Sequence, residues 1–130
     1  MLVDTHCHLN LEAFSGDCAQ VVQQAYAAEV LKILVPGINL ATSVEAITLA
    51  EAYEGISAAV GIHPNDLDGF EVKNLELLKD LAKSQHVVAI GEIGLDYYWK
   101  TTTIERQKEV FLAQLALVKE LHLPVVIHGR

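Results

Sequence analysis

The chain has 130 residues, of which 52% are hydrophobic and 20% are charged. This length and composition are typical of a globular domain with a hydrophobic core, and they exclude an intrinsically disordered chain. The formal net charge of −8 argues against a protein that binds nucleic acid through a broad basic surface. It leaves open a protein that meets phosphates through bound cations, because clustered acids and histidines hold metal ions.

The cysteines and the first residues bear on the cellular compartment. Cys7 and Cys18 form no C-x-x-C pattern, so we expect reduced, buried thiols rather than a disulfide framework or a structural zinc site. The N-terminus carries no basic segment, and no apolar run has the length of a signal peptide or a membrane span. We therefore expect a cytoplasmic protein that does not associate with membranes.

Five short apolar runs predict strands that are buried on both faces of a parallel sheet. They lie at residues 2–3, 31–38, 56–62, 87–93 and 124–127. Apolar residues with helical spacing fill the segments between them. The predicted helix starts are an N-cap at Asp17, capping boxes formed by Thr42 with Glu45 and by Thr102 with Glu105, and the leucines from position 75 onward.

Strict alternation of strands and helices predicts parallel strands joined by right-handed helical crossovers. Such a chain forms either an open doubly wound sheet or part of a closed eight-stranded barrel, and the pattern alone does not decide between them. A complete barrel takes about 250 residues, so five strands would be a little over half of one.

Polar residues follow the apolar runs where the strands are predicted to end. His6 and His8 follow the first run, His63 follows the third, Glu92 ends the fourth and His128 ends the fifth. Because the carboxyl ends of parallel strands form one face of the sheet, we expect these side chains to lie together. Two histidines two residues apart share one side of a strand and can converge on one metal ion, with the intervening cysteine turned away.

Each of these residues also has a structural interpretation. The two histidines of the first run could be satisfied polar residues at a strand end. A carboxylate after so apolar a strand is costly to bury unless it is paired or metal-bound, and a salt bridge from Glu92 to Arg130 or Lys100 would serve as well. The coincidence of all four groups at strand ends favours the metal site.

Several motifs resemble the TatD family of metal-dependent deoxyribonucleases, in the amidohydrolase-like superfamily. Val3-Asp4-Thr5-His6-Cys7-His8-Leu9 resembles the first strand of that family. Further similar motifs are Gly61-Ile62-His63-Pro64, Gly91-Glu92-Ile93-Gly94-Leu95-Asp96-Tyr97-Tyr98, Arg106-Gln107 with Phe111, and Leu123-Pro124-Val125-Val126-Ile127-His128-Gly129-Arg130. They span the whole chain in the family's order.

The resemblance implies an α/β fold of the TIM-type (β/α)8 barrel, with residues 1–130 as a single, partial domain of about five βα units that stops after the fifth strand. It implies two divalent cations, zinc, manganese or magnesium. His6 and His8 would bind one, Glu92 would bridge, and His128 would bind the second. The family's remaining ligands, a histidine and the catalytic aspartate, would lie beyond residue 130.

Four residues are predicted to bind substrate: His63, Asp96, Tyr97 and Arg130. His63 would contact a phosphate or orient a water, or else cap its own loop. Asp96 is expected to hold Arg106 or Arg130 in an ion pair. Arg130 would clamp a phosphate or form a structural ion pair.

Tyr97, Tyr98 and Trp99 form an aromatic cluster at the expected mouth of the site. They would stack on a base or pack against the rim of the barrel, and packing is the interpretation that we favour from the sequence.

The expected reaction is hydrolysis of phosphodiester bonds in DNA by a water that two metal ions activate. DNA would be the partner, and no obligate protein partner is evident. One alternative is a related hydrolase of a small amide or ester. The other is a catalytically incomplete half-barrel that only binds metal. We expect the 130-residue chain alone to be inactive.

Overall fold

The computed structural model describes residues 1–130 as alternating strands and helices. The elements are β1 (Leu2–Asp4), α1 (Cys18–Ala27), β2 (Val30–Pro36), α2 (Leu40–Ala52), β3 (Ile56–Val60), α3 (Lys73–Leu81), β4 (Val87–Leu95), α4 (Ile104–Leu121) and β5 (Val125–Gly129), with one turn of 3-10 helix at Glu12–Phe14. Every apolar run therefore overlaps one strand of the structure. None of the helices combines the length and hydropathy that a membrane span requires.

The sheet decides between the two architectures. Its five strands follow the order β1-β2-β3-β4-β5, and all neighbours are parallel. A doubly wound sheet reverses its strand order at a switch point, whereas a (β/α)8 barrel adds each strand beside the last. The structure is thus a curled half-barrel, and the predicted fold class is confirmed.

The start of α2 differs from the prediction. Its N-cap is Asn39, whose Oδ1 accepts a hydrogen bond from the Thr42 backbone N–H at 2.9 Å. The Thr42 Oγ1 in turn accepts from the Asn39 backbone N–H at 3.0 Å. The capping box exists, but Thr42 is its third helical residue rather than its cap, so the predicted pairing with Glu45 is wrong.

The other two predicted caps also differ in detail. The N-cap of α4 is Thr103, not Thr102, and its side chain accepts from the Arg106 backbone N–H at 3.2 Å. Asp17 does occupy the N-cap position of α1, but its side chain accepts no capping hydrogen bond.

The hydrophobic core lies between the helices and the sheet, with Val35, Ala58 and Val60 fully buried among its strand residues. Cys7 packs against this core, away from its histidine neighbours, and both cysteines are free but only half-buried. The edge strands are uncovered, since Leu2, Val3 and Ile127 are exposed. The sheet therefore does not close on itself.

Two buried glutamines of α4 fix the ends of the central strands. Gln114 lies beside Ile62, just after β3; its Oε1 accepts from the Ile62 N–H at 2.8 Å, and its Nε2 donates to the Ile62 carbonyl at 3.0 Å. Gln107 makes the same pair of bonds to the backbone of Asp96, at 2.7 and 2.9 Å. One helix, α4, thus holds the backbone that follows β3 and the backbone that follows β4.

Replacing Gln114 by leucine would keep the size of the side chain and leave both backbone groups of Ile62 unpaired in a buried position. We expect the free energy of unfolding to fall by about 2–4 kcal/mol, measured by urea denaturation. The control is Gln23→Leu on the exposed face of α1, which should change it by less than about 0.5 kcal/mol. Equal effects of the two substitutions would show that the hydrogen bonds between Gln114 and the Ile62 backbone do not stabilise the fold.

Candidate metal centre

The structure gathers the polar residues of four strand ends at one place. His6 and His8 lie just after β1, His63 lies just after β3, Glu92 is within β4 and His128 is within β5. Their nitrogen and oxygen atoms form two groups, one of His6, His8 and Glu92 and one of His63, Glu92 and His128. Glu92 is common to both groups.

The first group has the geometry of a cation site. The His6 Nε2, the His8 Nε2 and the Glu92 Oε2 are separated from one another by 3.1 Å. Donor atoms that share one ion at about 2.0–2.2 Å lie roughly 3.0–3.5 Å apart, so this triangle fits a zinc-sized ion. The nitrogen and carboxylate donors are also ones that zinc and manganese accept.

Backbone contacts orient the two histidines of this group. The His8 Nδ1 lies 3.2 Å from the carbonyl oxygen of Pro36, which can only accept, so Nδ1 carries the proton and donates it. The His8 Nε2 is therefore left with a free lone pair directed at the site. The Asp4 Oδ1 accepts from the His6 backbone N–H at 3.0 Å and so fixes the turn that follows β1.

Glu92 is buried, with 6% of its surface exposed, and is ionised. Burial alone would raise the pKa of its carboxyl, but the four surrounding imidazoles, His8 first and then His6, His63 and His128, lower that pKa to about 2. The alternative interpretation of Glu92, a salt bridge to Arg130 or Lys100, is not what the structure shows. The histidines take that place.

A local irregularity of β4 aims the Glu92 side chain into the site. Between Ile90 and Ile93 the strand spans the same length of ladder as Val125 to Ile127 of β5, so β4 contains one extra residue there. A β-bulge of this kind turns the strand and redirects a side chain. The Glu92 N–H accordingly leaves the ladder and donates to the carbonyl of Gly37 at 2.8 Å.

The two oxygens of Glu92 face different histidines. Oε2 faces the first group, whereas Oε1 lies 3.0 Å from the His128 Nδ1 and 3.8 Å from the His63 Nε2. Gly94 permits the approach of His128, because a methyl group on Gly94 would lie 2.0 Å from the His128 carbonyl oxygen. One carboxylate thus joins groups from opposite edges of the sheet.

Asp96 holds the far side of the His128 ring. Its Oδ2 lies 2.9 Å from the His128 Nε2 and accepts from the Asn65 amide at 2.9 Å, while its Oδ1 accepts from the backbone N–H groups of Tyr98 and Trp99. Asp96 is fully buried, which would raise the pKa of its carboxyl, but these hydrogen bonds hold that pKa far below its usual range. An ionised Asp96 only accepts, so it keeps the proton of His128 on Nε2 and turns Nδ1 toward Glu92.

The expected pairing of Asp96 with an arginine is wrong. Arg106 donates to Glu109 at 2.8 Å and to the carbonyl of Phe70. The Arg130 guanidinium instead stacks over the Tyr98 ring, at 4.2 Å from its centroid. Both arginines point away from the carboxylate because backbone and imidazole donors already satisfy it.

His63 is placed as a hydrogen-bond donor. Its Nδ1 accepts from the backbone N–H of Asn65 at 3.0 Å, so it does cap its own loop. Burial, and then the charge of His128, lower the pKa of His63, although Glu92 and Asp96 partly offset this. The neutral ring therefore carries its proton on Nε2, which faces the site and favours donation over metal binding.

Sequence reasoning missed the residues that support this centre. Asn65 connects the loop of His63 to Asp96, and its Oδ1 accepts from Thr101 at 3.2 Å. Gln107 holds the Asp96 backbone from α4. The only signal in the sequence is that Asn65 follows His63-Pro64 directly. Glutamine is usually exposed, so nothing marks Gln107 in advance.

Tyr97 and its neighbours lie on the exposed side of the centre. The Tyr97 N–H donates to the Arg130 carbonyl at 2.6 Å, and the Arg130 N–H donates to the Leu95 carbonyl at 3.1 Å. The side chains of Tyr97, Tyr98 and Trp99 are exposed and do not pack into the core.

Comparisons with known proteins agree with this arrangement. The family described as TatD related DNase matches residues 3–130. The chain is 44% identical to a Bacillus subtilis protein named uncharacterized metal-dependent hydrolase YabD, covering all of this chain and 51% of the relative. It is 39% identical to a Klebsiella pneumoniae protein named 3′-5′ ssDNA/RNA exonuclease TatD, over 99% of this chain and 49% of the relative.

A solved structure extends the agreement to the fold. The crystal structure of YjjV, a TatD homologue from Escherichia coli K12, matches with a TM-score of 0.92 and 39% identity, over 99% of this chain and 51% of that one. This chain thus spans about half the length of the relatives it matches. With the family's motifs in order along the chain, their strand ends gathered around Glu92 and the family match over residues 3–130, the chain belongs to the TatD family.

Proposed function

We propose that this chain supplies one half of the active site of a metal-dependent hydrolase that cleaves phosphodiester bonds in DNA. The observation that carries the proposal is the buried, ionised carboxylate of Glu92, whose two oxygens face separate groups of histidines. A shared carboxylate of this kind is what a site for two cations requires.

His6, His8 and the Oε2 of Glu92 would hold one cation, and the Oε1 of Glu92 with the His128 Nδ1 would contribute to the second. Zinc and manganese suit these donors, and magnesium would need waters to complete its shell. Bound there, a pair of divalent cations supplies a water of lowered pKa and neutralises phosphate charge. The aspartate that would deprotonate or orient that water is expected beyond residue 130.

The chain's own residues would position the substrate. The His63 Nε2–H faces Glu92 and the open side of the site, where it can donate to a phosphate oxygen. Arg130 forms no salt bridge in the structure, so its guanidinium can pair with a second phosphate oxygen. An acidic protein of charge −8 has no general attraction for DNA, so cations at Glu92 would provide it.

The names of relatives support DNA as the substrate, since the Klebsiella protein is named as an exonuclease of single-stranded DNA and RNA. The proposal can be tested with a chimera that joins residues 1–130 to the second half of that relative. We expect cleavage of single-stranded DNA that requires a divalent cation and stops when a chelator is added. A folded, metal-loaded chimera that hydrolyses small amides or esters but not DNA would refute the proposal.

The 130-residue chain alone is expected to show no DNA cleavage above background, because it contributes only part of the proposed ligand set. The measurement is release of nucleotides from single-stranded DNA with zinc, manganese or magnesium, beside the chimera as positive control. Chelator-sensitive cleavage by the chain alone would contradict this prediction.

Glu92→Gln removes the negative charge that both histidine groups face and puts an N–H donor at one of its two positions. We expect cation affinity to fall at least about 100-fold, measured by isothermal titration and elemental analysis. Glu76→Gln, an exposed neutralisation on α3, is the matched control and should leave metal content unchanged. Equal metal content in the two variants would show that Glu92 is not a ligand.

Asp96→Asn tests the orientation of His128 separately. The amide keeps the shape of the side chain but no longer accepts with a full charge, so the ring is less firmly held with Nδ1 toward Glu92. In the chimera we expect the second cation to bind about 10–100-fold more weakly, with the first nearly unchanged. Stepwise titration with manganese distinguishes the two sites, and equal weakening of both would contradict the assignment.

A further inference from the structure

We propose that Tyr98, Trp99 and Arg130 form a stacking platform for an unpaired nucleobase beside the metal centre. The inference rests on the proposed function and extends it, because it names the residues that would hold an unpaired base beside the cations. We call these three residues the platform.

The two aromatic rings of the platform are exposed to solvent. Tyr98 and Trp99 expose 62% and 60% of their surface, and neither packs against the hydrophobic core. The sequence favoured packing on the barrel rim for these rings; in the structure they contact Arg130, which follows β5, and otherwise remain exposed. Large aromatic rings left in water beside a polar site are a common means of binding a flat ligand.

The three side chains of the platform lie against one another. The Tyr98 and Trp99 rings are perpendicular, with centroids 5.0 Å apart. The Arg130 guanidinium lies 4.2 Å from the Tyr98 centroid and 5.7 Å from the Trp99 centroid. The guanidinium thus lies near both rings and closer to Tyr98, and the exposed part of the Trp99 ring is the surface offered to a base.

Arg130 contributes a positive charge to the platform. Arg130 forms no salt bridge and donates no side-chain hydrogen bond in the structure, although the chain carries a net charge of −8. An unpaired guanidinium between two aromatic rings complements a ligand that has both an anionic group and a flat ring. A nucleotide has both, since its phosphate can pair with Arg130 while its base stacks on Trp99.

Hydrogen bonds through Asp96 connect the platform directly to the metal centre. The Asp96 Oδ1 accepts from the backbone N–H groups of Tyr98 and Trp99 at 2.9 Å each, and its Oδ2 lies 2.9 Å from the His128 Nε2. The same buried carboxylate thus fixes both the loop and a proposed metal ligand. A platform held in this way needs little ordering when a ligand binds.

Stacking predicts that the platform binds single strands more tightly than duplex and discriminates little between sequences. A paired base has its faces covered by its neighbours in the duplex, whereas an unpaired base offers a free face to Trp99. Every base has such a face, so all four bases should bind similarly.

Trp99 is the only tryptophan of the chain, so its fluorescence reports directly on the platform. The experiment titrates the 130-residue chain with a short oligothymidylate and with an abasic oligomer of equal length, in low salt with a chelator present. We expect saturable quenching by oligothymidylate at about 5- to 100-fold lower concentration than by the abasic oligomer. Equal quenching by both oligomers would overturn the proposal.

Variants give a second readout with a labelled oligothymidylate in a polarisation assay. Trp99→Ala should bind about 5- to 100-fold more weakly, whereas Trp99→Phe should retain most of the affinity. Leu112→Ala, which removes an exposed apolar side chain on α4, is the matched control. Equal affinity of the alanine and phenylalanine variants, with folding verified by circular dichroism, would also overturn the proposal.

The test separates this inference from the proposed function because it needs neither metal nor cleavage. Base-dependent quenching combined with an inactive chimera would leave the platform standing and refute the hydrolase. An active chimera whose Michaelis constant for DNA is unchanged by Trp99→Ala would do the reverse. Binding of duplex and single-stranded DNA with equal affinity would refute the strand preference.

Discussion

The shared carboxylate of Glu92 is the interaction around which the carboxyl face of this sheet is arranged. Its oxygens lie 3.1 Å from the nitrogens of His6 and His8 on one side and 3.0 Å from a nitrogen of His128 on the other. A buried charge is tolerated only when it is fully paired, so the elements that carry these histidines must approach β4 closely. The bulge in β4 is how the chain meets this requirement.

The surrounding polar residues hold this arrangement from outside. Asp96 holds the Nε2 edge of the His128 ring, and Gln107 holds the Asp96 backbone. Gln114 holds the backbone just before His63. Each of these side chains is buried and makes at least two hydrogen bonds, so none can shift without leaving a polar group unpaired. The centre is therefore held by the scaffold rather than by its loops alone.

The sequence was sufficient to predict the strands, their parallel orientation and the convergence of His6, His8, Glu92 and His128, because apolar runs and strand-end polarity are local signals. The order of the strands followed only from the resemblance to the family. It was insufficient for contacts that only the fold creates. The cap of α2 is Asn39 rather than Thr42, since the choice depends on which residue the preceding loop leaves extended. The partner of Asp96 proved to be His128, 32 residues away in the chain, and no spacing rule reveals such a pair.

The curvature of the sheet has a thermodynamic consequence. β1 and β4 are separated by two strands, and in a flat sheet their axes would lie about 14 Å apart. The contact between His6 and Glu92 spans this gap only because the sheet curls. An ion bound between His6 and Glu92 would stabilise the curled form of the sheet. Occupancy of the ion site and curvature of the sheet are therefore linked equilibria, in which each favours the other. The affinity for the ion would then depend on how strongly the sheet is curled.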